Sequence, residues 1–133
     1  MKRTNIASGT KWESIMGFSR AVRTGRHVFI SGTTAIDKNG QLVGIDNPYM
    51  QTKKALENIQ SALAQLGASM NDVVRTRLFV KDLTHWDEVA KAHVEFFGEI
   101  KPATTFVEIT RLVDTAMLVS IEADAIIDTP EKE

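Results

Sequence analysis

The amino-acid sequence predicts an α+β fold in which two helices pack on one face of a single β-sheet, in the order β-β-α-β-α-β-β. Two segments carry apolar residues at helical spacing, and each is followed by a segment rich in β-branched and aromatic residues, which is typical of strands. A hairpin-like sequence precedes the first helix. Helices that connect strands of one sheet usually cross on the same side, so we expect both on a common face.

The first strand pair is expected near the N-terminus. Residues His27–Ala35 begin with β-branched and aromatic side chains and lead into the turn-forming residues 37–40. Gly25 separates this segment from Ser19–Arg23, which we interpret as the first arm of a β-hairpin.

A long amphipathic helix is predicted over Pro48–Leu66. Asn47 is a favourable N-cap, proline suits the first helical position, and Gly67 can end a helix in a left-handed conformation. Apolar residues recur every three or four positions and define one buried stripe, which consists of Leu56, Ile59, Leu63 and Leu66.

A strand and a second helix follow. Residues Val73–Lys81 show the two-residue period of a strand with two different faces. The next helix is expected to begin at Thr84, whose side chain can cap the first amides, and to end at Gly98 and Pro102. The side chains expected on its apolar face are Trp86, Val89, His93, Phe96 and Phe97.

Two strands, Ala103–Ile109 and Met117–Ile127, complete the predicted sheet. At 133 residues the chain has the length of a single domain, which we assign to residues 1–127. The polar residues 128–133 are expected to form a flexible C-terminal tail.

Large apolar residues occupy both faces of the predicted strands. Val28 and Ile30 alternate with Phe29, and Val107 alternates with Phe106. Helices cover only one face, and the other face of a monomer would normally be polar. We therefore expect further copies of the chain to cover the second face in a closed symmetric oligomer.

Composition argues against several classes of function. The net charge of −1 and the pI of about 6.3 give no general attraction to phosphate backbones, so we expect no nucleic-acid partner. The chain has no cysteine, which excludes thiol chemistry and fits a reducing compartment. Neither a signal peptide nor an apolar stretch of about 20 residues is visible, so we expect a cytoplasmic protein with no membrane partner.

No standard catalytic or nucleotide-binding motif occurs in the sequence. The three histidines lack the spacing that would place two of them on one face as metal ligands, and we expect neither a metal site nor a cofactor. His93 is either a proton-transfer group in a pocket or, as the more ordinary interpretation, a core histidine with satisfied nitrogens. Ser31 and Gly32 either offer backbone amides to a ligand or form a simple bend at a strand end.

Several carboxylates are also open to two interpretations. Glu122 and Asp124 share a strand face with Ser120, and Glu108 lies on the neighbouring predicted strand. Converging carboxylates can perform acid-base chemistry, but such a face more often forms ion pairs, for instance with the arginines of residues 75–77.

Seven segments of the chain carry a resemblance in their order and spacing: GFSRAV (17–22), VFISG (28–32), QTKKALENI (51–59), DVVRTRLFVKDL (72–83), EFF (95–97), PATTFVEITRL (102–112) and SIEADAI (120–126). Together they resemble the Rid family of YjgF-like proteins over nearly the whole chain. The resemblance implies a homotrimer of chorismate-mutase-like subunits with small-molecule ligands in clefts between subunits. It also implies hydrolysis of enamines and imines, such as 2-aminoacrylate, to 2-oxo acids and ammonia.

The sequence departs from this family pattern at three pocket positions. Where the family carries an arginine that holds the substrate carboxylate, in a P-A-R-[ST] segment, this chain has Thr104. Ser120 stands in place of a glutamate, and Phe18 in place of a tyrosine. A hydrogen bond to a charged group contributes about 1.5–3 kcal/mol, so we do not expect efficient turnover of 2-aminoacrylate.

Two hypotheses follow. The protein is either a Rid-like hydrolase or deaminase for an enamine or imine other than 2-aminoacrylate, or a non-catalytic trimer that binds a metabolite or a partner protein. RNA cleavage, attached to some relatives, has no support in the composition. Arg20 or Arg111 could restore the missing carboxylate anchor. No catalytic residue is assigned, and the residues predicted to bind the ligand are Phe18, Ser31, Gly32, His93, Thr104, Phe106 and Ser120.

Overall fold

The computed structural model describes residues 2–128, which form one six-stranded β-sheet. The strands are β1 (Arg3–Ile6), β2 (Ala21–Thr24), β3 (His27–Thr33), β4 (Val73–Val80), β5 (Ala103–Glu108) and β6 (Val119–Ile126). They lie side by side in the order β1-β2-β3-β6-β4-β5. β4 and β5 run parallel, and all other neighbours are antiparallel.

Three α-helices accompany the sheet in this part of the chain: α1 (Lys11–Met16), α2 (Pro48–Gln65) and α3 (Trp86–Phe97). α2 and α3 pack against each other on one face of the sheet and bury the core. As predicted, the side chain of Asn47 caps α2 by accepting a hydrogen bond from the Met50 amide at 3.0 Å. The predicted α+β fold with two helices on one face is therefore confirmed.

Two short elements were not predicted from the sequence. β1 has only four residues, of mostly polar character, and it pairs with β2 at the edge of the sheet. α1 has six residues, which is too short for a helical period to show in the sequence. Gly17 ends α1 with a φ of 75°, the left-handed conformation that glycine adopts without strain.

The start of α3 differs from the prediction. Asp82 rather than Thr84 provides the first cap, because its side chain accepts a hydrogen bond from the Thr84 amide at 2.8 Å. A 3₁₀ turn over Leu83–His85 comes next, and the α-helix begins at Trp86. The placement of Trp86 on the apolar face is wrong, since its side chain is 60% exposed. Side chains in a helix lean toward the N-terminus, so a residue in the first turn projects past the core.

The opposite face of the sheet is uncovered in the single chain. It carries large apolar side chains that are partly exposed, among them Phe29, Val107 and Ile126. Val28 and Ile30, which alternate with Phe29, are buried under the helices. The predicted two-sided apolar character of the strands is thus confirmed.

Of the predicted tail, only Asp128 belongs to the described residues, and the prediction for residues 129–133 lies outside them. Within residues 2–128, no helix combines the length and the apolar character needed to cross a membrane.

Candidate functional site

Four of the predicted ligand-binding residues line one cleft beside the ends of β3 and β6. The cleft has a volume of about 390 Å³, and Phe18, Ser31, Gly32 and Ser120 contribute to its walls. Most of the remaining lining is apolar and comes from α1 and from the loops that follow β3 and precede β6. These apolar residues are Trp12, Met16, Ile36, Leu112, Val113 and Met117.

A β-bulge shapes the floor of the cleft. Ile30 pairs with Ala123 and Thr33 pairs with Ile121, so β3 has one more residue than β6 between these two pairs. The extra length falls at Ser31 and Gly32. A Cβ on Gly32 would lie 2.8 Å from the Ser120 hydroxyl oxygen, so glycine lets that hydroxyl pack directly against the backbone of the bulge.

A buried arginine stabilises the bulge. Arg20 is only 9% exposed, and its Nη1 donates hydrogen bonds to the carbonyl oxygens of Ser31 and Gly32 and to the Thr33 hydroxyl. Its guanidinium carbon also lies 5.5 Å from the centre of the Phe18 ring. The guanidinium thus satisfies oxygens at the point where the strand ladder is interrupted.

Glu13 of α1 neutralises Arg20. One carboxylate oxygen of Glu13 lies 3.6 Å from Arg20 Nε, and the carboxylate accepts hydrogen bonds from the Ser8 amide, the Ser8 hydroxyl and the Thr10 hydroxyl. Burial by itself raises the pKa of Glu13, but these hydrogen bonds and the charge of Arg20 outweigh it, so the pKa is lowered. Burial lowers the pKa of Arg20, which Glu13 opposes, and the guanidinium stays charged at neutral pH.

The two arginines proposed as replacement anchors therefore differ in position. Arg20 lines the cleft, but its hydrogen bonds and its ion pair go to oxygens of its own chain. Arg111 is exposed and does not line the cleft, although the next two residues, Leu112 and Val113, do. Within the described single chain, Arg20 is the one arginine that lines the cleft, and its Nη1 and Nε face oxygens of its own chain.

The other three predicted residues lie on the helix-covered side of the sheet, near its β5 edge. The hydroxyl of Thr76, which is fully buried, lies 3.0 Å from His93 Nε2 and 2.8 Å from the Thr104 hydroxyl. Phe106 pairs with Leu78 in the register and packs against the core. One chain therefore does not bring these residues into the cleft.

His93 is half-buried between α3 and the sheet. Its ring lies 4.8 Å from the Phe97 ring, and burial lowers its pKa. Its Nε2 is satisfied by Thr76, which matches the ordinary interpretation of a packed histidine.

The carboxylates on the open face form ion pairs. Arg77 Nη1 lies 3.4 Å from a Glu122 oxygen and 3.2 Å from an Asp124 oxygen. Glu122 also lines the cleft, whereas Glu108 lies elsewhere and accepts a hydrogen bond from the Leu83 amide. The ion-pair interpretation is thus confirmed for two of the three carboxylates.

A second cavity of about 420 Å³ lies between α2 and the loop after β3. It shares Arg20 with the cleft, but its walls are polar and include Lys38, Lys54, Glu57 and Asn58. None of the residues predicted to bind the ligand lines it.

Comparison with known proteins defines the class. Residues 9–127 match the family described as Endoribonuclease L-PSP. An uncharacterised protein of Streptomyces coelicolor is 38% identical over 120 residues, which cover 90% of this chain and 89% of the relative. A crystal structure from Mycobacterium tuberculosis, of a YjgF/YER057c/UK114 family member, is 44% identical with a TM-score of 0.86, covering 95% of this chain and 100% of that one.

A more distant structure is that of Escherichia coli TdcF with bound serine. It is 25% identical with a TM-score of 0.76, covering 82% of this chain and 87% of that chain. The chain belongs to the YjgF or Rid family, whose characterised members hydrolyse or deaminate imines and enamines.

Proposed function

We propose that this protein is a homotrimeric hydrolase that acts on an enamine or imine other than 2-aminoacrylate. The observation that carries the proposal is the cleft, where Phe18, Ser31, Gly32 and Ser120 meet while the one guanidinium beside them is committed to its own chain. 2-Aminoacrylate carries a carboxylate, which such a cleft cannot pair with a free cation.

The reaction needs few protein groups. The oxygen of a water molecule bonds to the carbon of the C=N group, the nitrogen gains a proton, and the C–N bond breaks to give a carbonyl compound and ammonia. The Ser120 hydroxyl in the cleft is suited to hold that water. The Ser31 hydroxyl is less suited, because it donates a hydrogen bond to the Ser19 carbonyl at 2.7 Å.

A second copy of the chain would complete the site. Three residues of the cleft project from the open face of the sheet, namely Ser31, Ser120 and Glu122. The cleft is therefore continuous with the apolar surface that we expect a second copy of the chain to bury. Thr104 lies on the other face of its own sheet, and it would meet a ligand only in the cleft of a neighbouring subunit. The serine bound to TdcF supports a small-molecule ligand for a protein of this fold.

The family description names RNA cleavage, which the charge of this chain does not favour. The net charge is −1, and among the described lining residues of the cleft Arg20 is the only cation. We therefore place the activity in small-molecule chemistry, and we propose that the protein acts in the cytoplasm.

Ammonia release tests the proposal. Imines are generated in situ by amino-acid oxidases and amine oxidases from a panel of amino acids and amines, and ammonia is followed with a coupled assay in the presence and absence of the protein. We expect acceleration over buffer for imines with bulky side chains and little for 2-aminoacrylate.

Two variants serve as a matched pair in this assay. Ser120→Ala should lower the rate about tenfold or more, as loss of a group that positions a reactant does, without lowering the melting temperature. Ser61→Ala, which changes a serine of the second cavity, should leave the rate unchanged. No acceleration of any imine at high protein concentration would leave the non-catalytic binding protein as the remaining hypothesis.

A further inference from the structure

We propose that the cleft selects imines that lack a carboxylate, bound as cationic iminium ions with an apolar substituent. This inference rests on the hydrolase proposed above and names its substrate class. It implies that the substrate derives from an amine rather than from an amino acid.

The size and lining of the cleft fit an apolar substituent. Ligand sites of this kind measure roughly 300–1,000 Å³ and are lined mainly by apolar and aromatic side chains. The cleft has a volume of about 390 Å³ and is walled by Trp12, Phe18, Leu112 and Met117, among others. A phenyl ring or a branched alkyl group would fill such a space without leaving polar atoms unpaired.

The charged groups of the cleft disfavour an anion. Two charged side chains line it, Arg20 and Glu122, as far as residues 2–128 are concerned. Arg20 is buried and balanced by Glu13 at 3.6 Å. Glu122 shares a single arginine, Arg77, with Asp124, so two carboxylates face one guanidinium.

Among the described residues, no cation other than Arg77 lies within ion-pair distance of Glu122. Arg75 is opposite Asp124 in the strand register, yet the described structure contains no ion pair between them. Lys11 lies 4.8 Å from the centre of the Trp12 ring, on an exposed side chain that does not line the cleft. A ligand carboxylate would thus approach Glu122 without a partner, whereas a positive nitrogen would be attracted to it.

The chemistry of the reaction agrees with this electrostatic preference. Protonation of the imine nitrogen makes the C=N carbon more electrophilic. As water adds through its oxygen, Glu122 can take a proton from that water and return it to the nitrogen, after which the C–N bond breaks. An iminium ion and one water then yield an aldehyde or ketone and an ammonium ion, with no other reactant.

Two stable ligands of matched shape test the preference by calorimetric titration. 2-Phenylethylamine and 3-phenylpropanoate carry the same phenyl group on a two-carbon chain and differ in the sign of their charge. We expect the amine to bind at least about tenfold more tightly, the equivalent of one charge-assisted hydrogen bond. Tighter binding of the carboxylate, or binding of neither ligand at millimolar concentration, would overturn the inference.

A pair of variants assigns the preference to Glu122. Glu122→Gln should weaken binding of the amine about tenfold and abolish the discrimination between the two ligands. Glu99→Gln makes the same chemical change at an exposed residue away from the cleft and should leave both affinities unchanged. Equal effects of the two variants would contradict the assignment.

Turnover separates this inference from the hydrolase proposal. The protein is offered the imine of 2-phenylethylamine, made by a flavin-dependent amine oxidase, and the imino acid of phenylalanine, made by an amino-acid oxidase. Ammonia released faster from the amine-derived imine supports both proposals. Release from the imino acid alone refutes the proposed substrate class but retains the hydrolase. Tight amine binding without ammonia release refutes the hydrolase but retains the preference of the cleft for a cationic ligand.

Discussion

Arg20 illustrates how a single buried side chain changes the interpretation of the cleft. In the sequence it is one of several arginines that could hold a ligand carboxylate. In the structure its Nη1 donates to the bulge at Ser31 and Gly32, and its charge is balanced by Glu13. Turning Nη1 toward a ligand would leave the carbonyl oxygens of the bulge without this donor.

At the same scale, His93 should make the stability of the protein depend on pH. Burial lowers its pKa below the ordinary value of 6.5, so the unfolded chain binds a proton at His93 more readily than the folded one. The free energy of unfolding should therefore fall as the pH drops below about 6.5. His93→Gln, which can still hydrogen-bond Thr76, should flatten that decline.

Urea denaturation between pH 7.5 and 5.5 measures this effect. The chosen range lies above the region where Glu13 contributes, because the lowered pKa of Glu13 acts below its ordinary value of 4.5. Gln60→Ala, a change without a titratable group at an exposed position of α2, should leave the pH dependence of the wild type intact. An unchanged slope in His93→Gln would contradict the assignment to His93.

Among the elements, α2 holds both loops that wall the cleft. The amide of Gln51 is fully buried: its Nε2 donates to the carbonyls of Gly44 and Ala116, and its Oε1 accepts from the Leu118 amide. Further along the helix, the amide of Asn58 donates to two carbonyls of residues 34–36. The helix therefore contributes polar anchors for the site as well as an apolar stripe for the core.

Gln51→Met should be strongly destabilising. The substitution keeps the length of the side chain but leaves three buried backbone groups without their partner, at a cost of about 3 kcal/mol in the free energy of unfolding. Gln60→Met, on the exposed side of the same helix, should change it by less than about 0.5 kcal/mol. Chemical denaturation of both variants checks the difference, and similar values for the two would show that the Gln51 contacts contribute little.

The elements that the sequence predicts correctly are long and periodic. α2 occupies Pro48–Gln65 against a prediction of Pro48–Leu66, and β4 occupies Val73–Val80 against Val73–Lys81. The elements it misses are short and are held by contacts outside themselves: α1 through Glu13, which contacts Ser8 and Arg20, and β1 through its pairing with β2. Tertiary contacts of this kind leave no local pattern in the sequence.

For the molecule as a whole, the candidate site could be predicted only in part. Ser31 and Ser120 meet because neighbouring strands place them on the same face at the bulge, as the alternation of the strands allows one to anticipate. Thr104 and His93 lie on the helix-covered side of the sheet near its β5 edge, where the Thr76 hydroxyl joins them. Their relation to a ligand depends on how copies of the chain assemble, which side-chain periodicity within one chain does not encode.

The open face of the sheet should hold the proposed homotrimer together. Phe29 is 47% exposed at the centre of that face, and burial of apolar area against a second copy would stabilise the assembly by about 25 cal/mol per Å². Sedimentation or light scattering should give the wild type a mass three times its 14.8 kDa subunit. Phe29→Lys should shift that mass toward the monomer with little change in circular dichroism, since the introduced charge would have to be desolvated at the interface.

Val94→Lys, at a 62% exposed position of α3 on the helical side, should remain trimeric. A monomeric wild type, or a Phe29→Lys variant that assembles as the wild type does, would contradict this role of the open face.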